Sequence, residues 1–178
     1  MLPRLERGAI MREGRSAWLA ILLGGVIAGT VDIGAASLIS GHDPVFILHV
    51  IAGGLIGKPA AFSGGTGTAT LGLVLQWAMS ILIAVIFVAD KTFIPRLYRN
   101  WIVAGLAYGV AVFFVMNYAV VPLSAYHRLP HFTSLSFAEN MAAMLLFGLI
   151  IAYFARRVRA KSIHTAAEQA SSAFTLES

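Results

Sequence analysis

Residues 17–40 read AWLAILLGGVIAGTVDIGAASLIS, an apolar run whose one charged residue is Asp32. The hydrocarbon core of a bilayer takes about 20 mainly apolar residues in helical form, and this run is long enough to cross it. Working outward, residues 69–89, 102–123 and 136–155 meet the same length, the last being slightly more polar at its start. The expected fold is therefore all-α, an integral membrane four-helix bundle. The first run follows Arg4, Arg7, Arg12 and Arg15, as a signal peptide would. It is too long for a signal core and it contains Asp32, so it is expected to stay in place as the first span.

Composition supports the membrane reading. Of 178 residues, 58% are apolar and 12% charged, against about a quarter charged in soluble domains, which argues against an ordinary water-soluble enzyme. The net charge of +5 would suit nucleic acid, but the placement of the cations does not. Four lie in the N-terminal arm, three in the middle loop (Lys91, Arg96, Arg99) and four after the last span (Arg156, Arg157, Arg159, Lys161). That makes eleven on one side against two, Lys58 and Arg128, on the other. The positive-inside rule then puts both termini in the cytoplasm of a bacterial inner membrane. Trp18, Tyr98 and Trp101 fall at the cytoplasmic boundary and Tyr126 at the outer one, where amphipathic rings are favoured. With no Cys, a disulfide framework and a thiolate metal site are both excluded.

Residues 45–57 are apolar but too short to span, and read as a re-entrant or interfacial helix on the outer side. The Gly- and Thr-rich stretch 63–68 reads as a flexible turn; no Lys stands where a phosphate loop would need one. Residues 1–161 form a single transmembrane domain, followed by a small, polar tail, 162–178, expected to be disordered and cytoplasmic.

Helical spacing arranges the unusual residues into stripes. Gly25, Gly29, Asp32 and Ala36 share one face of the first span. Gly25-x-x-x-Gly29, echoed by Gly105-x-x-x-Gly109 on the third span, is the pattern that lets two backbones approach closely. Gly72, Gln76, Ser80 and Ala84 form a ladder on the second span, and Ser136, Asn140, Gly148 and Ala152 one on the fourth. At about 1.5 Å of rise per residue, Asp32 lies roughly 12 Å below the outer boundary, Gln76 roughly 10 Å and Asn117 roughly 8 Å, with Asn140 shallower. The expected binding residues are thus Asp32, Gln76, Ser80, Asn117 and Asn140, lining a polar vestibule open to the periplasm. A carboxylate in hydrocarbon costs roughly 2.5 to 3.5 kcal/mol on insertion scales and marks a functional position by default. The alternative for each stripe is a helix-packing seam.

Four histidines, His42, His49, His127 and His131, fall in the outer segments near Asp43 and Glu139. They are the weak candidates for a divalent metal, but no zinc spacing is present and Pro130 spoils an i, i+4 pair, so no metal and no cofactor is expected. Haem ligation lacks a His within the four spans. Nucleophilic catalysis lacks both a Cys and a Gly-x-Ser-x-Gly elbow, so the chain is read as a non-enzyme.

Three stretches carry a resemblance: Ala28-Gly29-Thr30-Val31-Asp32; residues 51–57 through 61–65 to 71–73; and Tyr108-Gly109 through Met116-Asn117 to residues 120–124. Together, about half of the chain resembles a family of small bacterial four-helix inner-membrane proteins, a domain of unknown function. The resemblance implies the fold and the membrane and carries no activity with it. It also implies a His where this chain has Gln76, a departure that leaves any histidine-dependent scheme without its residue.

Three functions fit these features. One is a small permease or channel-like subunit with Asp32 as its proton or cation site, which would require a homo-oligomer because four helices are few to enclose a path. The second is a non-catalytic scaffold whose glycine seams bind another membrane subunit. The third is a periplasm-facing metal-binding protein. The expected partners are the lipid bilayer and a second copy or other subunit, with no nucleic acid.

Overall fold

The computed structural model describes residues 4–89 and 100–176. Lys91, Arg96, Tyr98 and Arg99 lie outside the described residues. Six helices follow one another: α1 (Arg4–Ser40), α2 (Pro44–Ile56), α3 (Lys58–Ser63), α4 (Gly65–Ala89), α5 (Trp101–Val115) and α6 (Ser134–Leu176). After α5 the chain continues through a π-helical stretch (Met116–Val120) and a closing turn (Val121–Leu123). Four segments are long and apolar enough to cross a membrane: Ile21–Ser40, Gly65–Ala89, Trp101–Leu123 and Ser134–Arg157. The molecule is an all-α bundle of the multi-pass membrane type.

Local chemistry explains the boundaries. Asp43 caps α2, its carboxylate accepting from Phe46 N at 2.9 Å, and Pro44 occupies the first turn, where no N–H is needed. Gly57, at φ 83°, ends α2 in a conformation that costs glycine little. The flexible turn expected over 63–68 shrinks to a single residue, Gly64, because α4 starts at Gly65. Thr68 Oγ1 is the reason: it lies 2.6 Å from Ala61 O and 3.0 Å from Gly65 O, tying the first turn of α4 to α3. The disordered tail expected from residue 162 is also corrected, since α6 runs to Leu176. No Gly or Pro follows Gly148, and Ala166, Ala167, Glu168, Gln169 and Ala170 are strong helix formers.

The π-helical stretch has a cause in Pro122. A proline ring clashes with the carbonyl four residues back and offers no N–H. The widened turn sends Val121 N to Met116 O, five residues back, and Asn117 Nδ2 to Phe113 O at 2.9 Å.

In the bundle α1 packs on α4 and α6, α5 packs on α6, and α2 packs on α4. Glycine allows the closest approaches. A Cβ on Gly25 would stand 2.8 Å from Ile81 Cα, and one on Gly29 would stand 2.5 Å from Ser80 Oγ. On the α5–α6 side a Cβ on Gly109 would stand 2.9 Å from Leu145 Cα, and one on Gly148 2.7 Å from Gly109 N. Gly72 faces the backbone carbonyl of Leu48, which seats α2 against α4. Between α4 and α5 the contact is made by large side chains: Tyr108 donates to Ile83 O at 2.6 Å and its ring lies 4.7 Å from that of Phe87. Around these contacts Ala28, Phe87, Phe113, Ile151 and Ala152 are fully buried, while Leu22, Leu23, Leu82 and Val103 are exposed on the outside of the bundle. That distribution suits a lipid solvent, where large apolar side chains face outward and small ones face helix neighbours.

At the end that carries α2, the segment after Leu123 folds back over that helix. Tyr126 donates to Val50 O at 2.7 Å and Ala125 N to Gly54 O at 2.8 Å. A Cβ on Gly53 would stand 2.5 Å from the Tyr126 hydroxyl, so glycine makes the room for the ring.

Candidate functional site

The polar residues of the α1–α4 seam follow from helix periodicity. Gly25, Gly29 and Asp32 fall on one face of α1, and Gln76, Ser80 and Ala84 on one face of α4; where the glycines let the backbones close, the longer side chains between them must pair. Gln76 Nε2 donates to Asp32 Oδ2 at 2.8 Å and stands 3.4 Å from Gly29 O. Ser80 is buried directly under Gly29. Asp32 and Gln76 are both half-buried.

The second carboxylate oxygen, Oδ1, receives no hydrogen bond from any described residue. Nor does a described Lys, Arg or His form an ion pair with Asp32. The cations whose side chains are described all stand over aromatic rings elsewhere: Lys58 over Phe62, Arg128 over Tyr126, Arg156 over Trp101 and Arg157 over Tyr153. The charge of an ionised Asp32 is therefore offset by one amide donor alone. A proton or a bound cation would neutralise it at far lower cost than leaving it bare in a medium of low dielectric.

Sequence reading grouped Asp32, Gln76, Ser80, Asn117 and Asn140 around one vestibule. Asp32 and Gln76 meet, and Ser80 lies against Gly29 on the same seam. Asn117 Nδ2 donates to Phe113 O, and Asn140 Nδ2 to Ser136 O at 2.8 Å, each to its own helix. Among the described residues no hydrogen bond joins either asparagine to Asp32 or Gln76. A fourth member of the seam was not anticipated: Trp77 Nε1 donates to Thr30 Oγ1 at 3.1 Å, and Thr30 Oγ1 in turn donates to Val26 O at 2.8 Å. The signal available was Thr30 two residues before Asp32 and Trp77 beside Gln76, an indole that needs a partner for its N–H in hydrocarbon.

Of the four candidate histidines, His42 and His49 are engaged with backbone and rings. His42 Nδ1 lies 2.8 Å from Ser40 O, with its ring stacked 4.1 Å from that of Phe46. His49 Nε2 lies 2.9 Å from Gly65 O, tying α2 to the start of α4. His127 adopts φ 46°, in the turn that follows Tyr126, and His131 is exposed. No group of three or more His, Cys, Asp or Glu converges among the described residues.

Among the binding candidates one pair is hydrogen-bonded, Asp32 with Gln76, on the α1–α4 seam that also holds Ser80 and the Thr30–Trp77 bond. Compared with models of protein families, with curated proteins and with solved structures, the chain matches none.

Proposed function

We propose that the chain is a small permease or channel-like subunit of a bacterial inner membrane, a member of the four-helix family it resembles, with Asp32 as the proton or cation site. The observation that supports this is the half-buried Asp32 carboxylate, held by Gln76 and with no described basic partner. Such a group exchanges a proton or a cation at lower cost than an ion pair would, because no salt bridge has to be broken. Gln76 orients it, and Ser80 adds a hydroxyl one helical turn from Gln76, against Gly29. Asn117 and Asn140 bond to their own helices, and neither is hydrogen-bonded to this pair. Two copies of the chain would be needed to enclose a path, and the glycine-spaced faces serve the packing within each copy.

The non-catalytic scaffold is the second reading. It draws on the same pair, since a protonated Asp32 could also serve as a cross-helix hydrogen-bonding group that fixes the register of α1 against α4.

Reconstituting the full chain in vesicles that enclose a pH-sensitive dye separates the two. With a proton or potassium gradient imposed, the parent is expected to dissipate it. Asp32→Asn keeps the size and the Gln76 hydrogen bond but cannot titrate, and should lower the flux at least about tenfold, as loss of an essential proton carrier does. Parent vesicles as tight as empty ones, or an Asp32→Asn variant as leaky as the parent, would replace the permease with the scaffold.

A further inference from the structure

At the end of the bundle opposite α2, two spans terminate side by side: Trp101–Leu123 begins there and Ser134–Arg157 ends there. Trp101 and Tyr153 face each other, with ring centroids 5.9 Å apart. The Arg156 guanidinium stands over the Trp101 ring at 5.7 Å and that of Arg157 over the Tyr153 ring at 5.0 Å. Both arginines are exposed, and neither meets a carboxylate among the described residues.

We propose that this cluster is a binding site for the phosphodiester headgroup of an anionic phospholipid. A guanidinium drawn to a ring face by the ring's quadrupole keeps its N–H edges directed outward. Those edges match two oxygens of a phosphate in a bidentate pair. Two such guanidiniums, fixed by neighbouring rings, give an anion two charged forks whose side-chain freedom is already restricted, so less entropy is lost on binding.

The surroundings specify a lipid in preference to a free anion. The cluster sits at the last residues of two apolar spans, the depth at which headgroups lie. The surface continuing from it into the bilayer along α6 is exposed and apolar at Leu146, which shares a face with Tyr153 two turns away. Acyl chains laid along that surface would hold a phosphate against the arginines, which inorganic phosphate cannot do. At the other end, Arg128 over Tyr126 is a lone pair of this kind, with the phenol occupied by Val50 O.

The test uses the purified full chain in mixed micelles holding equal amounts of phosphatidylglycerol and phosphatidylcholine, with retained lipid counted by native mass spectrometry. The parent should retain phosphatidylglycerol about thirtyfold over phosphatidylcholine, the size expected of two arginines at an anionic surface. Arg156→Gln with Arg157→Gln should abolish that preference, while Arg128→Gln leaves it intact. Both variants alter exposed side chains, and an elution volume equal to the parent's shows that they fold. Equal retention of the two lipids by the parent, or an undiminished preference in the double variant, overturns the site. Loss of the preference when inorganic phosphate is added at the concentration of the lipid overturns the lipid in favour of a free anion.

Discussion

Asp32 and Gln76 are joined by one 2.8 Å hydrogen bond inside a span, and replacing each tests a different property of the pair. Asparagine at position 32 still presents an oxygen to the Gln76 amide, so Asp32→Asn should change thermal stability in detergent by less than about 1 kcal/mol. Gln76→Leu removes the only described donor to the carboxylate and should cost about 1–3 kcal/mol, the penalty of a buried acceptor left unpaired. A Gln76→Leu variant as stable as the parent at neutral pH would show that water or a cation already satisfies Asp32. Tyr126 allows a pH experiment outside the spans. Burial pushes its phenol above the ordinary value, with Arg128 pulling the other way by a smaller amount. A raised value in the folded state means that the proton is bound more tightly there than in the unfolded chain. The stabilisation is thus fully present below about pH 10, the ordinary tyrosine value, and is lost as pH rises toward the folded-state value. Ultraviolet titration of phenolate should lose a late-titrating component in Tyr126→Phe. The same substitution should cost about 1 kcal/mol through the lost bond to Val50 O. Titration unchanged by it would remove the clamp over α2 from the account.

Between helices, the close contacts are set by where a Cβ is missing. Gly148 lies against Gly105 and Gly109, so Gly148→Leu must push α5 and α6 apart and should cost at least about 1–3 kcal/mol. Gly34, on the same helix as Gly25 and Gly29, has no atom within 4 Å of where its Cβ would stand, so Gly34→Leu should be close to neutral. Equal effects of the two on detergent unfolding would show that α5–α6 packing does not limit stability. The four long elements were legible in the sequence because span length is dictated by the bilayer and needs no knowledge of partners. Stripes of small residues were legible too, from the 3.6-residue period. Which stripe meets which was not. Nothing local in residues 72–84 says that Gly72 will seat α2 while Ser80, two turns on, meets α1. Depth groups Asn117 and Asn140 with Asp32 but does not give their partners, and each amide bonds the carbonyl four residues back on its own helix. The short α3 and the long end of α6 were missed because Gly and polar residues were read as breaks. The tertiary bond from Thr68 to Ala61 O in one case, and a run without Gly or Pro in the other, sustain a helix.

For the molecule as a whole, the structure divides the connections between two ends. Tyr126 touches Val50, so the α2–α3 connection and the segment after Leu123 lie at one end. Trp101 meets Tyr153, so the start of α5 and the last span's exit lie at the other. With four spans, the start of the first and the exit of the last fall at this second end. The described cations distribute over the same division: Lys58 and Arg128 belong to the first end, and Arg156 and Arg157 to the second; in the sequence, Lys91, Arg96 and Arg99 fall between α4 and α5. An insertion machinery that retains positive loops on the cytoplasmic side would orient the bundle with the first end outward. Alkaline phosphatase fused after Lys58 or Arg128 should therefore be active, because it folds only outside the cytoplasm, and fused after Arg96 it should be inactive. Activity in the Arg96 fusion would reverse the bundle, placing the arginine–aromatic cluster in the outer leaflet and leaving the shallower approach to Asp32 on the cytoplasmic side. The internal geometry of the Asp32–Gln76 pair would stand, but the direction from which an ion reaches it would be inverted.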